Sequence, residues 1–97
     1  MHARVSHYDV AGGRADDAIK ALEDARDAIQ QMQGFQRAML LVDRGGGKAI
    51  TITFWDSEDS LRATAEQANQ VRQQAADTGG LSVRAVDAYE VAMEFGR

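Results

Sequence analysis

The spacing of apolar residues along the chain switches repeatedly between the period of a β-strand and the period of an α-helix. Ala3 to Val10 alternates as a strand and stops at the turn signal Ala11-Gly12-Gly13. From Ala15 the apolar residues recur every three or four positions, which predicts a helix of about five turns. Gly34 is placed to end that helix in a left-handed conformation.

A β-hairpin is predicted next, because three glycines at 45–47 separate two β-type runs. A three-residue loop places Arg44 opposite Lys48, and the strand period then assigns every side chain to a face. The face expected to meet the helices is uniformly apolar and contains Ala38, Leu40, Val42, Ile50, Ile52 and Phe54. The opposite face then contains Phe35, Arg37, Met39, Leu41, Thr51, Thr53 and Trp55.

A second helix follows the hairpin, and a final strand follows that helix. Asp56 or Ser57 is expected to cap the helix, with Asp59 near the position of a capping-box acid, and Gly79-Gly80 is expected to end it. Its apolar stripe is mostly alanine, so the helix should lie close to its support: Leu61, Ala65, Ala68, Val71 and Ala75. Val83 to Phe95 alternates as the last strand.

The order βαββαβ predicts an α+β fold, the ferredoxin-like plait, in which a four-stranded antiparallel sheet carries two helices on one face. Residues 1–97 are expected to form a single domain, because no linker divides them. The uncovered sheet face would carry large apolar groups, a patch too large for a typical soluble monomer. We therefore expect a homodimer through the open sheet face, which closes two sheets into an α+β barrel.

Composition excludes several kinds of chemistry. The chain has no cysteine, so disulfides, thiolate catalysis and cysteine-ligated metals are excluded. His2 and His7 are the only histidines and lie on opposite faces of a strand, so no metal site is expected. The net charge of −4 comes without a basic stripe, which argues against a nucleic-acid partner. With no long apolar run or targeting segment, we expect no membrane insertion and a cytoplasmic location.

Several short segments together resemble a known family over nearly the whole chain. They are Ala3-Arg4-Val5, Gly34-Phe35, Leu41-Val42-Asp43-Arg44 with Gly47-Lys48, Trp55-Asp56-Ser57-Glu58 and Tyr89-Glu90-Val91. The chain resembles the antibiotic biosynthesis monooxygenase (ABM) domain family of dimeric α+β barrels. The resemblance implies a homodimer with a pocket between sheet and helices or loops in each subunit. It also implies a range of activities, since some members oxidise polycyclic aromatics with oxygen and no metal or flavin, while others degrade heme or oxidise quinols.

The chain departs from that family at three positions. Members that act on aromatic polyketides or heme use an asparagine in the first strand, where this chain has Ser6. Heme-degrading members also use a tryptophan in the second helix, where this chain has Thr64, and a histidine ligand further along, at about the position of Gln73. Trp55 matches the junction tryptophan of the wider family instead. The resemblance therefore implies the fold and the dimer more strongly than it implies oxygenase chemistry.

The candidate ligand-binding residues are those that the first strand and the hairpin are expected to place on one face: Ser6, Tyr8, Arg37 and Trp55. Trp55 beside Arg37 would make a flat surface for an aromatic anion, or both would belong to the dimer interface. His7 is a candidate general base, or else a hydrogen-bonded strand histidine. Tyr8 is a candidate catalytic group that would donate a hydrogen bond into a pocket, or else it fills the barrel. Asp87 is another, because an unpaired carboxylate on an apolar face is unusual; it could equally pair with an arginine or mark a bulge.

Three functions remain open from the sequence. The first is a cofactor-independent monooxygenase acting on a small quinol- or anthrone-like aromatic, which can itself reduce oxygen once it is deprotonated. The second is a non-catalytic dimeric binder of a small hydrophobic ligand, and the third is a structural or accessory module. In each case we expect the purified protein to hold no flavin, heme or metal. The chain lacks a ligand cluster, and its three glycines join two strands without the helix start of a phosphate loop.

Overall fold

The computed structural model describes residues 1–97 and contains four strands and four helices. The strands are β1 (His2–Val10), β2 (Phe35–Asp43), β3 (Lys48–Trp55) and β4 (Leu81–Glu90). The helices are α1 (Ala15–Asp24), α2 (Arg26–Gln30), α3 (Glu58–Ala63) and α4 (Ala65–Gly79). The strands pair antiparallel in the order β2-β3-β1-β4, and the ferredoxin-like α+β fold is confirmed. No helix is long and apolar enough to cross a lipid bilayer.

Each of the two predicted helices is divided into two segments. The first is interrupted at Ala25, between α1 and α2, and the second at Thr64, between α3 and α4. The Thr64 hydroxyl donates to the carbonyls of Ser60 and Leu61, at 2.9 and 3.2 Å, and such side-chain bonds compete with the helical ladder. Ser57 caps α3 as predicted, with its Oγ accepting from the Ser60 N–H at 3.1 Å.

The hairpin register differs by one residue from the prediction. Asp43 pairs with Lys48 and Leu40 with Thr51, so the loop has four residues, 44–47. The carboxylate of Asp43 accepts the N–H of Gly46 at 2.9 Å, which stabilises the longer turn.

The shift in register exchanges the two faces of β3. Thr51, Thr53 and Trp55 point to the helices, whereas Ile50, Ile52 and Phe54 lie on the open face. The predicted faces of β3 were therefore wrong. The faces predicted for β2 from residue 37 onward are confirmed. Phe35 was predicted on the open face, but it lies on the helix side, because a bulge between residues 35 and 37 places it opposite Trp55.

The last strand is shorter than predicted. β4 ends at Glu90, which pairs with His2 at the start of β1. The Val91 N–H still donates to the Met1 carbonyl at 2.9 Å, but beyond that point β1 offers no further partner. Residues 91–97 consequently have no regular structure, in contrast to the prediction of a strand to Phe95.

The core consists of two clusters that flank a cavity. One contains Tyr8, Ala18, Ala49, Ala76 and Leu81, and the other Met32, Trp55 and Leu61. Small residues bring α4 close to α1, since a Cβ on Gly79 would lie 2.8 Å from the Cβ of Ala21. This agrees with the close packing predicted for the alanine-rich helix.

Gly79→Ala is expected to lower the free energy of unfolding by about 1–3 kcal/mol, because the added methyl overpacks the contact between α1 and α4. Urea denaturation measures the loss. Gly12→Ala is the control, because a Cβ at Gly12 meets nothing within 4 Å, and it should change stability by less than about 0.5 kcal/mol. Equal losses in the two variants would contradict the steric explanation.

Candidate functional site

A cavity of about 460 Å³ lies between the sheet and the helices. This volume is in the range of small-molecule sites, which is roughly 300–1,000 Å³. The strands contribute Arg4, Ser6, Tyr8, Phe35, Ala38, Leu40, Thr51, Thr53 and Trp55 to the wall. The helices contribute Leu22, Ala25, Ile29, Val71, Arg72 and Ala75, among others. Most of the lining is apolar, so the cavity is suited to a largely apolar molecule.

An aromatic wall closes one side of the cavity. Trp55 is fully buried and meets Phe35 edge to face, with ring centroids 5.8 Å apart. The Trp55 Nε1–H donates to Thr53 Oγ1 at 2.9 Å, which satisfies the indole and fixes its orientation. These contacts hold the two aromatic rings in fixed positions at the cavity wall.

Three polar side chains of β1 enter the cavity together. Arg4, Ser6 and Tyr8 alternate along the strand and so share one face. All three are buried. The Tyr8 hydroxyl lies 3.4 Å from Thr51 Oγ1 on β3, where either oxygen can donate. A ligand in the cavity would therefore meet two hydroxyls and a guanidinium on the sheet side.

Two buried arginines carry the charge of the site. Arg4 Nη2 donates to the Leu61 carbonyl at 2.5 Å, and its guanidinium lies 5.1 Å from the Trp55 ring centroid. Arg72, on α4, donates from Nη2 to Asn69 Oδ1 at 3.4 Å. Arg4 Nη1 and Arg72 Nε are buried without a hydrogen-bond partner. Neither arginine takes part in an ion pair.

Burial and mutual repulsion both disfavour these charges. Burial lowers the pKa of Arg4, and the nearby positive charge of Arg72 lowers it further. Burial also lowers the pKa of Arg72, while the Tyr8 phenol acts in the opposite direction. Guanidinium groups nevertheless stay protonated at neutral pH. The cavity thus holds two buried positive charges that form no ion pair with a carboxylate, which is an arrangement suited to an anion.

The sequence matches the antibiotic biosynthesis monooxygenase family over residues 1–76. The chain belongs to this family. It is 34% identical over 93 residues to Rv2557, an uncharacterised protein of Mycobacterium tuberculosis, and the match covers 95% of this chain and 41% of that protein. The chain therefore spans less than half the length of the curated relatives it matches.

Solved structures share the ABM fold at low identity. SnoaB, a cofactor-independent oxygenase from Streptomyces nogalater, superposes with a TM-score of 0.76 at 15% identity, over 99% of this chain and 97% of SnoaB. The heme degrader MhuD from Mycobacterium tuberculosis, solved with two hemes in its active site, has a TM-score of 0.76 at 20% identity, over 99% of this chain and 100% of MhuD. The predicted family resemblance is confirmed.

All four predicted ligand-binding residues of this ABM chain line the cavity, and three of them belong to its sheet wall beneath the helices: Ser6, Tyr8 and Trp55. Arg37 reaches the edge of the cavity, but its guanidinium lies 4.6 Å from the Phe54 ring centroid and pairs with Glu94. The predicted surface of Arg37 beside Trp55 is wrong, because the true register places the two side chains on opposite faces of the sheet.

The candidate catalytic residues are divided between the two faces. Tyr8 lines the cavity, whereas His7 and Asp87 lie on the open face, opposite Ile50 and Val5 respectively. Asp87 makes no ion pair, and the β-bulge of β4 lies beyond it, near Arg84. No cluster of side chains suited to a metal ion is present.

The prediction from sequence missed Arg4 and Arg72. The strand period placed Arg4 on the face of Ser6 and Tyr8, so it could have been included. Arg72 follows Ala68 by four residues and precedes Ala75 by three, which puts it on the apolar stripe of its helix. Of the three positions where the chain departs from heme-degrading members, Ser6 and Thr64 are buried and Gln73 is exposed.

Proposed function

We propose that this chain binds a planar aromatic compound in the cavity and oxidises it with molecular oxygen, without a bound cofactor. The observation that carries the proposal is the cavity itself, about 460 Å³ with Trp55 and Phe35 as its aromatic wall, in a chain of the ABM family. SnoaB, which shares the fold, is a cofactor-independent oxygenase. The substrate class is a quinol- or anthrone-like compound, whose anion can reduce oxygen directly.

The residues of the cavity would hold the substrate as its anion. For an anthrone-like substrate, a ring CH₂ becomes a carbonyl, so that one oxygen atom enters the product and the other leaves as water with the two hydrogens. Arg4 and Arg72 would stabilise the negative charge that develops, and the Tyr8 hydroxyl would donate to it. The apolar walls would exclude bulk water.

The side chains of the cavity do not fit heme as a ligand. Heme iron is usually held by histidine, cysteine, methionine or tyrosine as axial ligand. No histidine or cysteine lines this cavity. Of the other possible ligands, Met32 is packed in the core with Trp55 and Leu61, Met39 lies on the open face, and the Tyr8 hydroxyl is 3.4 Å from Thr51 Oγ1. Heme therefore has no role in the proposed reaction.

Oxygen consumption with a panel of quinols and anthrones tests the proposed activity. We expect at least one compound to be oxidised faster than its spontaneous rate, with no effect of a metal chelator. Tyr8→Phe should lower kcat/KM by about 10- to 150-fold, which is the effect expected from losing a hydrogen bond to a charged group. Tyr89→Phe is the matched control, because Tyr89 is exposed on the open face. Equal rates for wild type and Tyr8→Phe would contradict the role of the hydroxyl.

A non-catalytic binder is the second candidate, and the lack of a buried general base in the cavity favours it. Glu23 is the only carboxylate in the lining, and it is exposed, so no buried base is available to deprotonate a substrate. Tight binding of an aromatic compound with no oxygen consumption for any member of the panel would select this function over the oxygenase.

We also propose that the chain forms a homodimer through its open sheet face. Met39 and Leu41 are 41% and 49% exposed there, and they are adjacent to Ile50, Ile52 and Phe54. A continuous apolar patch of this kind is unusual on a soluble monomer. A two-fold axis would let each patch pack on its own copy.

A further inference from the structure

We infer that the compound held in the cavity is an aromatic carboxylate, with the carboxylate bound between Arg4 and Arg72. The inference rests on the proposed function, because it assigns a substrate class to the same cavity. Its basis is different, however, since it depends on two buried guanidinium groups that nothing in the chain neutralises.

The contacts that these two buried arginines make within the chain leave part of each guanidinium unsatisfied. Arg4 is 5% exposed and Arg72 is 9% exposed, yet each has a buried donor nitrogen without a partner. A buried charge normally has a partner, because removing it from water is costly. In contrast, five solvent-accessible arginines each pair with a carboxylate: Arg14, Arg37, Arg44, Arg62 and Arg84.

The two arginines with unpaired donors line one cavity from opposite sides. Arg4 lines it from the sheet and Arg72 from the helices, and the two cations are close enough for Arg72 to lower the pKa of Arg4. An anion between them would remove the repulsion and satisfy both donors. The planar guanidinium matches the two oxygens of a carboxylate in geometry, so a carboxylate is the anion that fits best.

The rest of the ligand must be apolar and flat. Trp55 and Phe35 line the same cavity, and the Arg4 guanidinium lies 5.1 Å from the Trp55 ring centroid, so charge and aromatic wall are adjacent. An inorganic anion would leave the apolar wall unfilled. An aromatic ring bearing a carboxylate satisfies both features at once.

Anthraquinone-2-carboxylate and its neutral carboxamide are a matched pair of probes. Trp55 is the only tryptophan and lies in the cavity wall, so quenching of its fluorescence reports binding. A parallel titration of N-acetyltryptophanamide corrects for absorption by the probes. We expect wild type to bind the carboxylate at least ~10-fold more tightly than the amide at pH 7, as charge-assisted hydrogen bonds require.

Arginine variants locate the carboxylate. Arg72→Met and Arg4→Met should weaken carboxylate binding at least ~10-fold and leave amide binding within ~2-fold. Arg62→Met is the matched control, because Arg62 pairs with Glu58 on the surface of α3, outside the cavity, and it should change neither affinity. Loss of carboxylate binding in Arg37→Met but not in Arg72→Met would overturn the inference, because it would place the carboxylate at the cavity edge.

The outcomes separate this inference from the proposed activity. Equal affinities for carboxylate and amide in wild type, or no binding of either, would overturn the inference, and this comparison needs no variant to fold. Selective binding of the carboxylate without oxygen consumption would support the inference and reject the oxygenase. Oxygen consumption with neutral compounds only would support the oxygenase and overturn the inference.

Discussion

Arg72→Met is expected to stabilise the ligand-free protein while it removes carboxylate binding. Arg72 is 9% exposed, has no ion-pair partner, and has a buried Nε without a hydrogen bond. Methionine keeps much of the apolar stem and removes the buried charge. Replacing buried charges by apolar groups of similar volume is often stabilising by about 1–4 kcal/mol. We expect the free energy of unfolding to rise by about 1–3 kcal/mol, measured by urea denaturation at one protein concentration.

Arg62→Met is the control for this change. Arg62 pairs with Glu58 on the surface of α3, and its side chain is 72% exposed. Removing such a pair should alter stability by less than about 1 kcal/mol and should not affect ligand binding. A marked destabilisation by Arg72→Met would contradict our explanation, because it would mean that Arg72 is present for the fold and not for an anion.

Met39→Asp is expected to convert the proposed dimer to a monomer that remains folded. Met39 is 41% exposed in the isolated chain, so an aspartate there is solvated in the monomer. In a two-fold dimer, however, each copy would bury a carboxylate in an apolar interface, which costs several kcal/mol per ion. The dissociation constant should rise at least ~100-fold, equivalent to about 2.7 kcal/mol. Light scattering and circular dichroism measure the mass and the fold.

Val86→Asp is the matched control, since Val86 is also 41% exposed. It pairs with Ser6 and so lies on the sheet face that carries the helices. This variant should remain dimeric. A folded wild-type monomer at micromolar concentration would contradict the dimer, as would equal dissociation of the two variants.

Trp55→Asp is not a test of the interface, because Trp55 is buried in the core and its loss should unfold the chain.

Apolar periodicity was sufficient to predict the order of strands and helices, but not the pairing inside the hairpin. Periodicity assigns each strand two faces, and the loop decides how the faces of two strands combine. Three glycines indicated a three-residue loop, whereas a hydrogen bond from Gly46 to the Asp43 side chain supports a four-residue loop. That single residue moved Trp55 from the open face, where it was expected, into the cavity wall.

Strand periodicity also explains why the candidate site was predicted only in part. Ser6 and Tyr8 could be placed together because they alternate on one strand, and the same rule separates His7 from Tyr8. The rule also includes Arg4, yet an arginine usually extends to solvent, so its sequence position alone does not indicate burial. That Arg4 and Arg72 lack carboxylate partners depends on contacts between distant segments, which appear only in three dimensions.

A crystal structure of the protein with anthraquinone-2-carboxylate tests the central claim most directly. Our account predicts that the ring packs against Trp55 in the cavity and that the carboxylate accepts hydrogen bonds from Arg4 Nη1 and Arg72 Nε. These bonds should be about 2.7–3.0 Å long. A ligand on the open sheet face, or one in the cavity with its carboxylate turned to solvent and both nitrogens still unpaired, would contradict it.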